Sequence, residues 1–220
     1  MRLIESGMVR TLIVKDLSRL GREYLEVGKL TELVFPSYGV RFIAINDNVD
    51  SFYGENDFVP FKNLFKEFYS AYLYLDIANF YASKGLDGFA NWYQVQAKEE
   101  QDHAMLFYQY LHNNGQPVIL EAVGKPDGAF ASLEAPLAAA LEHERYVTAL
   151  INAIYTAAQA AQDYRTVQFL DWFVKEQGEE EKNAADLITK MELFGSDAKG
   201  LYMLNSELAA RVYTAPSLVL

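Results

Sequence analysis

Residues 97–103 read Ala-Lys-Glu-Glu-Gln-Asp-His, and this short stretch carries the strongest indication of what the chain folds into. It lies inside a run of helical periodicity that covers about 87–113. In that helix Glu100 and His103 fall on the apolar stripe, three positions apart. Because side chains at i and i+3 share one face of a helix, both are expected to point inward. One helical turn thus offers a carboxylate and an imidazole to the same ligand.

Three more long helices are predicted around this one. The apolar patterns and their capping residues place helices over about 57–83, 87–113, 132–161 and 163–194, with a short fifth helix over about 199–212. A loop over about 116–131, which contains prolines and glycines, joins the second long helix to the third. Four long helices with one long connection describe a four-helix bundle with a crossover.

Every long helix carries a carboxylate near the middle of its predicted inward face. These residues are Glu67, Glu100, Glu144 and, on the last long helix, Glu180 beside Gln177. On that last helix the inward stripe is predicted to include Val174. An unpaired buried carboxylate costs several kcal/mol, so four that converge persist only if protonated, paired with cations or bound to metal.

The ligand types favour a metal. Carboxylate oxygens and an imidazole suit hard or borderline ions, and Glu-x-x-His on a bundle helix is the arrangement of di-iron carboxylate bundles. A bundle whose acids form only salt bridges is the alternative, and it predicts no metal uptake. Taken singly, each acid is compatible with a solvated face, and Glu99 lies one position off the stripe.

Composition excludes several other classes. The 220 residues include no cysteine, which rules out disulfide scaffolds and thiolate metal sites. The net charge of −11 makes the chain a poor general binder of nucleic acid. No apolar run is long enough to span a membrane and no signal peptide precedes the fold, so the cytoplasm is expected.

The first part of the chain has a different pattern. Residues 9–14 and 40–45 are predicted strands, residues 20–33 a helix ended by Pro36, and residues 46–57 a polar loop. Residues 1–60 carry a net charge of −2, with 7 basic and 9 acidic residues, whereas the rest carries −9, with 12 and 21. The fold class is therefore mainly α, a bundle over 57–220 preceded by a partial α/β segment over 1–56.

From about residue 65 onward, the chain resembles bacterial non-haem ferritin. The stretches that carry the resemblance are Glu67-Phe-Tyr-Ser-Ala-Tyr-Leu-Tyr74, residues 97–103, His143-Glu144-Arg145-Tyr146 and Trp172-Phe-Val-Lys-Glu-Gln-Gly-Glu-Glu-Glu181. The resemblance implies a ferritin-like bundle in a 24-subunit homo-oligomeric cage. It also implies oxidation of Fe(II) by dioxygen or peroxide and storage of iron as ferric mineral.

The same resemblance implies roles for individual residues. Glu67, Glu100 and His103 would hold a first iron, and Glu100 would bridge to a second iron at Glu144 and either Glu180 or Gln177. A third iron site would use four acids, Glu99, Glu176, Glu179 and Glu180. Tyr74 matches a tyrosine beside the centre. Glu180 stands where a bacterioferritin would repeat Glu-x-x-His, so no haem is expected.

Residues 9–66 resemble instead the catalytic domain of large serine recombinases. The matching stretches are Leu12-Ile-Val-Lys-Asp-Leu-Ser-Arg19-Leu-Gly-Arg22, Gly39-Val-Arg-Phe-Ile-Ala-Ile-Asn-Asp47 and Asn56-Asp-Phe-Val-Pro-Phe-Lys-Asn-Leu-Phe65. The resemblance implies that Arg19 and Arg22 would contact a scissile phosphate. The family's nucleophilic serine and DNA-binding region have no counterpart here, so the alternative function is an inactive recombinase fragment.

Overall fold

The computed structural model describes residues 2–15, 19–20, 24–45, 49–51, 59–118, 120, 122–126 and 128–220. The chain divides into two compact units, residues 1–59 and 60–220, and each is described by itself. The sequence-based boundary between 56 and 57 lies outside the described residues. No helix in the described ranges is both long and apolar enough to cross a membrane.

The first unit is a small α/β layer. Its elements are α1 (Arg2–Glu5), β1 (Thr11–Val14), α2 (Tyr24–Lys29), a π-helical turn (Leu30–Val34), α3 (Phe35–Ser37), β2 (Arg41–Ala44) and β3 (Val49–Asp50). β1 pairs in parallel with β2, and β2 pairs antiparallel with β3. A small core joins the helical layer to the sheet, and it consists of Ile4, Phe35, Val40, Phe42 and Ala44.

Two expectations for this unit need correction. The helix does not end before Pro36 but continues to Ser37, because the proline lies in the first turn of α3, where its missing N–H costs least. The predicted polar loop over 46–57 contains the two-residue strand β3, which is too short to produce a periodic pattern. Of the two arginines assigned from the recombinase resemblance, Arg22 lies outside the described residues.

The second unit contains the long helices. They are α4 (Val59–Ser83), α5 (Asp87–Asn113), α6 (Ala135–Ala160) and α7 (Tyr164–Phe194), followed by the short α8 (Ala198–Leu208). Asp163 caps α7 by accepting a hydrogen bond from the Thr166 amide, and Pro136 occupies the first turn of α6. The mainly helical, ferritin-like fold predicted from the sequence is confirmed.

Apolar side chains fill the bundle on either side of its centre. Toward one end, α5, α6 and α7 contribute a cluster made of Ala104, Phe107, Tyr110, Val147, Ile151, Ile154, Phe169, Leu170 and Phe173. Toward the other end, the rings of Tyr74, Tyr81, Phe89 and Tyr93 stack between α4 and α5. Burial of each such side chain contributes about 1.5–3 kcal/mol, which supports a polar layer between the two clusters.

The structure differs from the predicted helical pattern in two places. On α7, Phe173 is buried and Val174 is 43% exposed, so the inward stripe runs through Leu170, Phe173 and Gln177. The larger aromatic ring sets the rotation of the helix. The fifth helix ends at Leu208 instead of about 212, and residues 209–220 continue without helix.

Candidate metal centre

Four glutamates meet in the middle of the second unit, one from each long helix. Glu67 on α4, Glu100 on α5, Glu144 on α6 and Glu180 on α7 are all buried, with exposed fractions between 2% and 8%. Each lies on the inward stripe of its helix. The helical period therefore brings together four residues that are far apart in the sequence.

His103 joins this group from the turn after Glu100. Its Nδ1 lies 3.4 Å from a carboxylate oxygen of Glu100 and 3.9 Å from one of Glu180. Three sets of side chains offer ligand atoms within 4.8 Å of one another: Glu67, Glu100 and His103; Glu100, Glu144 and Glu180; and His103, Glu176 and Glu180. Because Glu100 belongs to the first two sets, the site can hold two ions that share one carboxylate.

Burial controls the protonation of this group. It raises the pKa of Glu67 and of Glu180 well above the usual value, and the charge of Glu100 adds to both shifts. It also raises the pKa of Glu144 to about 8. Burial opposes ionisation of Glu100 as well, but the hydrogen bond and charge of His103 bring its pKa to about 2. Without a metal, one carboxylate is ionised beside the imidazole and the others hold protons that a cation would displace.

Amide and hydroxyl groups fix the carboxylates in place. Gln96 Nε2 donates to Glu100 Oε1 and to Glu180 Oε1, both at 2.9 Å. Gln177 Nε2 donates to Glu144 Oε2 at 3.0 Å, and the Tyr74 hydroxyl donates to the other oxygen of that carboxylate. Gln177 thus holds a candidate ligand by a hydrogen bond at the edge of the centre. Supporting hydrogen bonds of this kind orient ligands and tune metal affinity.

A small cavity reaches the centre from the side of Tyr74. It has a volume of about 20 Å³ and is lined by Tyr74, Glu144 and Glu180 among others. That volume holds about one water molecule. The centre is therefore accessible to a species the size of water while the surrounding side chains exclude larger molecules.

The remaining predicted acids line a second, larger cavity next to the centre. Its volume is about 450 Å³, and Glu99, Glu176, Glu179 and Glu180 all contribute to its wall. Glu176 is half-buried near His103, and Glu179 is exposed. Glu99 is bound by Arg211, with Nη2 and Oε2 2.5 Å apart. The structure thus brings these acids into one cavity but gives one of them a cationic partner from the chain.

Three residues that contact this region, Gln96, His143 and Arg211, have no role predicted from the sequence. Gln96 is on the predicted inward stripe of α5, so its spacing of four from Glu100 was a usable signal. His143 is buried and neutral, since burial lowers its pKa to about 4. Its Nε2 lies 2.6 Å from Ser70 Oγ. Arg211 is expected in the last turn of the fifth helix, but that helix ends at Leu208, so the predicted pattern does not place it.

Comparisons with known proteins agree with this geometry. A model of the ferritin-like domain matches residues 62–194, which is more than half of the chain. The bacterial non-heme ferritin of Staphylococcus epidermidis is 35% identical over 148 residues, 67% of this chain and 89% of that protein. A probable bacterial non-heme ferritin-like protein of Haemophilus influenzae is 33% identical over 142 residues, 64% of this chain and 86% of that protein.

Solved structures show the same fold. An engineered closed form of Archaeoglobus fulgidus ferritin superimposes with a TM-score of 0.70 at 40% identity, over 71% of this chain and 95% of that one. The open-pore ferritin from the same archaeon gives a TM-score of 0.69 at 39% identity, over 70% and 95% of the two chains.

Proposed function

The chain belongs to the ferritin family, and from this premise we propose that it oxidises Fe(II) at the buried glutamate centre and stores the iron as ferric mineral. The observation that carries the proposal is the meeting of Glu67, Glu100, Glu144 and Glu180, one from each helix, with His103 one turn from Glu100. A purely structural core gains nothing from four buried acids, three of which must be protonated to be buried.

In this proposal Fe(II) is the substrate, and the three ligand sets give its positions. Glu67, Glu100 and His103 bind a first ion, and Glu144 with Glu180 binds a second across the shared Glu100. Oxygen and imidazole ligands suit iron. Gln177 supports the second position by holding Glu144 at 3.0 Å instead of binding iron itself.

The negative charge of the carboxylates explains why this site would favour the oxidation of Fe(II). Each carboxylate that exchanges its proton for a cation adds negative charge to a low-dielectric site, and this favours Fe(III) over Fe(II). Two Fe(II) ions give one electron each, and dioxygen takes both together with two protons to become hydrogen peroxide. Tyr74, whose hydroxyl donates to Glu144, lies beside the second position and can exchange a proton with that carboxylate.

The finer expectations belong to the same proposal. We propose a homo-oligomeric cage of 24 copies, dioxygen or peroxide as oxidant, a third iron site at Glu99, Glu176, Glu179 and Glu180, and a cytoplasmic location. The absence of haem stays a prediction. The assignment of residues 1–56 as a resolvase-like segment also stays a proposal that rests on residues alone, and no contact among the described residues of this segment favours a recombinase activity.

The test is aerobic addition of Fe(II) with ferric absorbance followed over time. We expect Glu100→Ala and His103→Ala each to slow the initial oxidation by more than about 100-fold, since even residues that only support ligands cost 10–100-fold. Glu192→Ala, an exposed glutamate on α7, is the matched control and should oxidise at the parent rate. Equal rates in the parent and the two ligand variants would refute the proposal.

A further inference from the structure

The residues after α8 run back over the bundle as an ordered segment, residues 209–220, here called the C-terminal strap. Its start is held by Asn91, whose Nδ2 donates to the carbonyl of Arg211 at 3.0 Å. Further along, the Tyr213 hydroxyl donates to Asp102 at 2.5 Å, and Trp172 Nε1 donates to Ser217 Oγ at 3.0 Å. The strap therefore binds α5 and α7 at three points along its length.

The strap forms one wall of the acidic cavity of about 450 Å³. Arg211, Thr214, Ala215, Pro216 and Ser217 line it on the strap side. The opposite wall carries His103 and four acids, Glu99, Glu176, Glu179 and Glu180. The acidic side chains of this wall attract cations, and the strap side of the cavity itself contributes a positively charged side chain.

That cation is the guanidinium of Arg211, whose side chain is only 16% exposed. It lies 4.1 Å from the centre of the Trp92 ring, and Nη2 contacts Glu99 Oε2 at 2.5 Å and Gln96 Oε1 at 2.9 Å. A charge-assisted contact of this kind is shorter and stronger than a neutral hydrogen bond. The guanidinium occupies Oε2 of Glu99 and offsets its charge, so a metal ion that needs this oxygen competes with Arg211.

We propose that Arg211 is a tethered counter-ion of the acidic cavity, and that a divalent cation gains Glu99 as a ligand only when the strap moves Arg211 away. This inference rests on the proposed function, because the cavity adjoins the proposed oxidation centre. The exchange replaces one bound cation, the guanidinium, by another, the metal ion. Arg211 is thus a positioning residue that controls how many cations the bundle holds.

The two tryptophans of the chain make the exchange observable. Both tryptophans lie near the central site, since Trp92 lines the small cavity beside Glu144 and Glu180 and Trp172 lies near His103, but Trp92 is the one that contacts Arg211. A Trp172→Phe protein keeps Trp92 as its single fluorophore. Because this variant also loses the hydrogen bond from Trp172 to Ser217, bound ions are counted on the parent in parallel. Zn²⁺ is the probe, because it is not redox-active and does not quench fluorescence as paramagnetic ions do.

The experiment titrates this reporter protein with Zn²⁺ and counts bound ions by native mass spectrometry. We expect the weakest zinc to bind together with a change in Trp92 emission. In Arg211→Gln that zinc should bind about tenfold tighter, the fold-change that corresponds to 1.4 kcal/mol. Arg211→Lys keeps the charge and should bind it with near-parent affinity, whereas Arg145→Gln, which removes an exposed arginine, should change nothing.

Two results would overturn the proposal. One is an unchanged number and affinity of zinc ions in Arg211→Gln; the other is a weakest zinc that binds without any change in Trp92 emission. Iron oxidation measured on the same proteins separates this test from that of the function. If the parent fails to oxidise iron, the zinc titration still decides what the strap does.

Discussion

The bundle contains two groups of glutamates that lie side by side and are neutralised by different means. In the central group, burial raises the pKa of Glu67, Glu144 and Glu180, so protons remove the charge. In the cavity group, burial raises the pKa of Glu99 as well, but Arg211 lies 2.5 Å from its carboxylate and opposes this shift with a positive charge. The difference teaches that a buried glutamate can become a metal ligand in two ways: the metal ion replaces either its proton or the arginine side chain that contacts it.

The largest expected effect comes from removing a candidate metal ligand from the central group without removing its hydrogen bond. Protonated Glu67 donates to Glu100, and the amide of Glu67→Gln can donate in the same way. We therefore expect the metal-free variant to unfold at the parent temperature or above it at pH 8. Its zinc affinity should fall by about 100-fold or more, since a ligand is lost.

Thermal unfolding with and without Zn²⁺ checks both statements. At a zinc concentration about 100 times its dissociation constant, the position that contains Glu67 contributes about 2.7 kcal/mol to the parent, and it should contribute about 0.4 kcal/mol or less to the variant at the same concentration. Glu192→Gln, on the exposed face of α7, should behave as the parent. A Glu67→Gln protein that zinc stabilises as strongly as the parent would exclude this residue as a ligand.

The sequence predicts the central group of glutamates but not the contact between Glu99 and Arg211, because the two depend on different kinds of structural information. The central group follows from helical period alone, because Glu100 and His103 lie on a stripe that any bundle must bury. The contact between Glu99 and Arg211 joins a helix to a segment without periodicity, so only the tertiary fold brings the two together. The exposure of Val174 is a separate case: Leu170, Gln177 and Glu180 are buried as the pattern predicts, but Phe173 is buried in place of its neighbour, a choice between adjacent positions that periodicity does not make.

The second prediction concerns pH and follows from the protons of the central group. The pKa of Glu144 is about 8 in the folded chain against the ordinary 4.5, so the folded state binds a proton more tightly than the unfolded state. This stability is fully present below pH 4.5 and is lost as the pH rises through 8. The metal-free protein should therefore unfold at progressively lower temperature from pH 5 to pH 9.

Calorimetry over that range measures the slope, and Glu144→Gln provides the control. The amide cannot ionise, so the variant should lose less stability with pH than the parent, although the general charge repulsion of an acidic chain remains. Glu100 does not disturb the comparison, because its pKa of about 2 affects stability only in more acidic solution. A parent whose unfolding temperature is constant or rises from pH 5 to pH 9 would contradict the protonated state of the centre.

The smallest expected effect is at the residue that joins the two groups. Gln96 donates to Glu100 and Glu180 on one side and accepts from Arg211 on the other. Its orientation is fixed by this asymmetry, since only its oxygen can face the guanidinium and only its nitrogen can face two carboxylate oxygens. Gln96→Ala should weaken zinc binding at the central site by about tenfold, as loss of a supporting hydrogen bond does.

The matched control is Gln94→Ala, an exposed glutamine on the same helix, which should bind zinc as the parent does. Because Gln96 contacts Arg211 as well, Gln96→Ala also frees the guanidinium from one of its two side-chain acceptors. If the two groups are coupled through this amide, Arg211→Gln will change central zinc affinity by a different factor in the Gln96→Ala protein than in the parent. If the factor is the same in both proteins, the central and cavity groups bind cations independently, and Gln96 does not couple them.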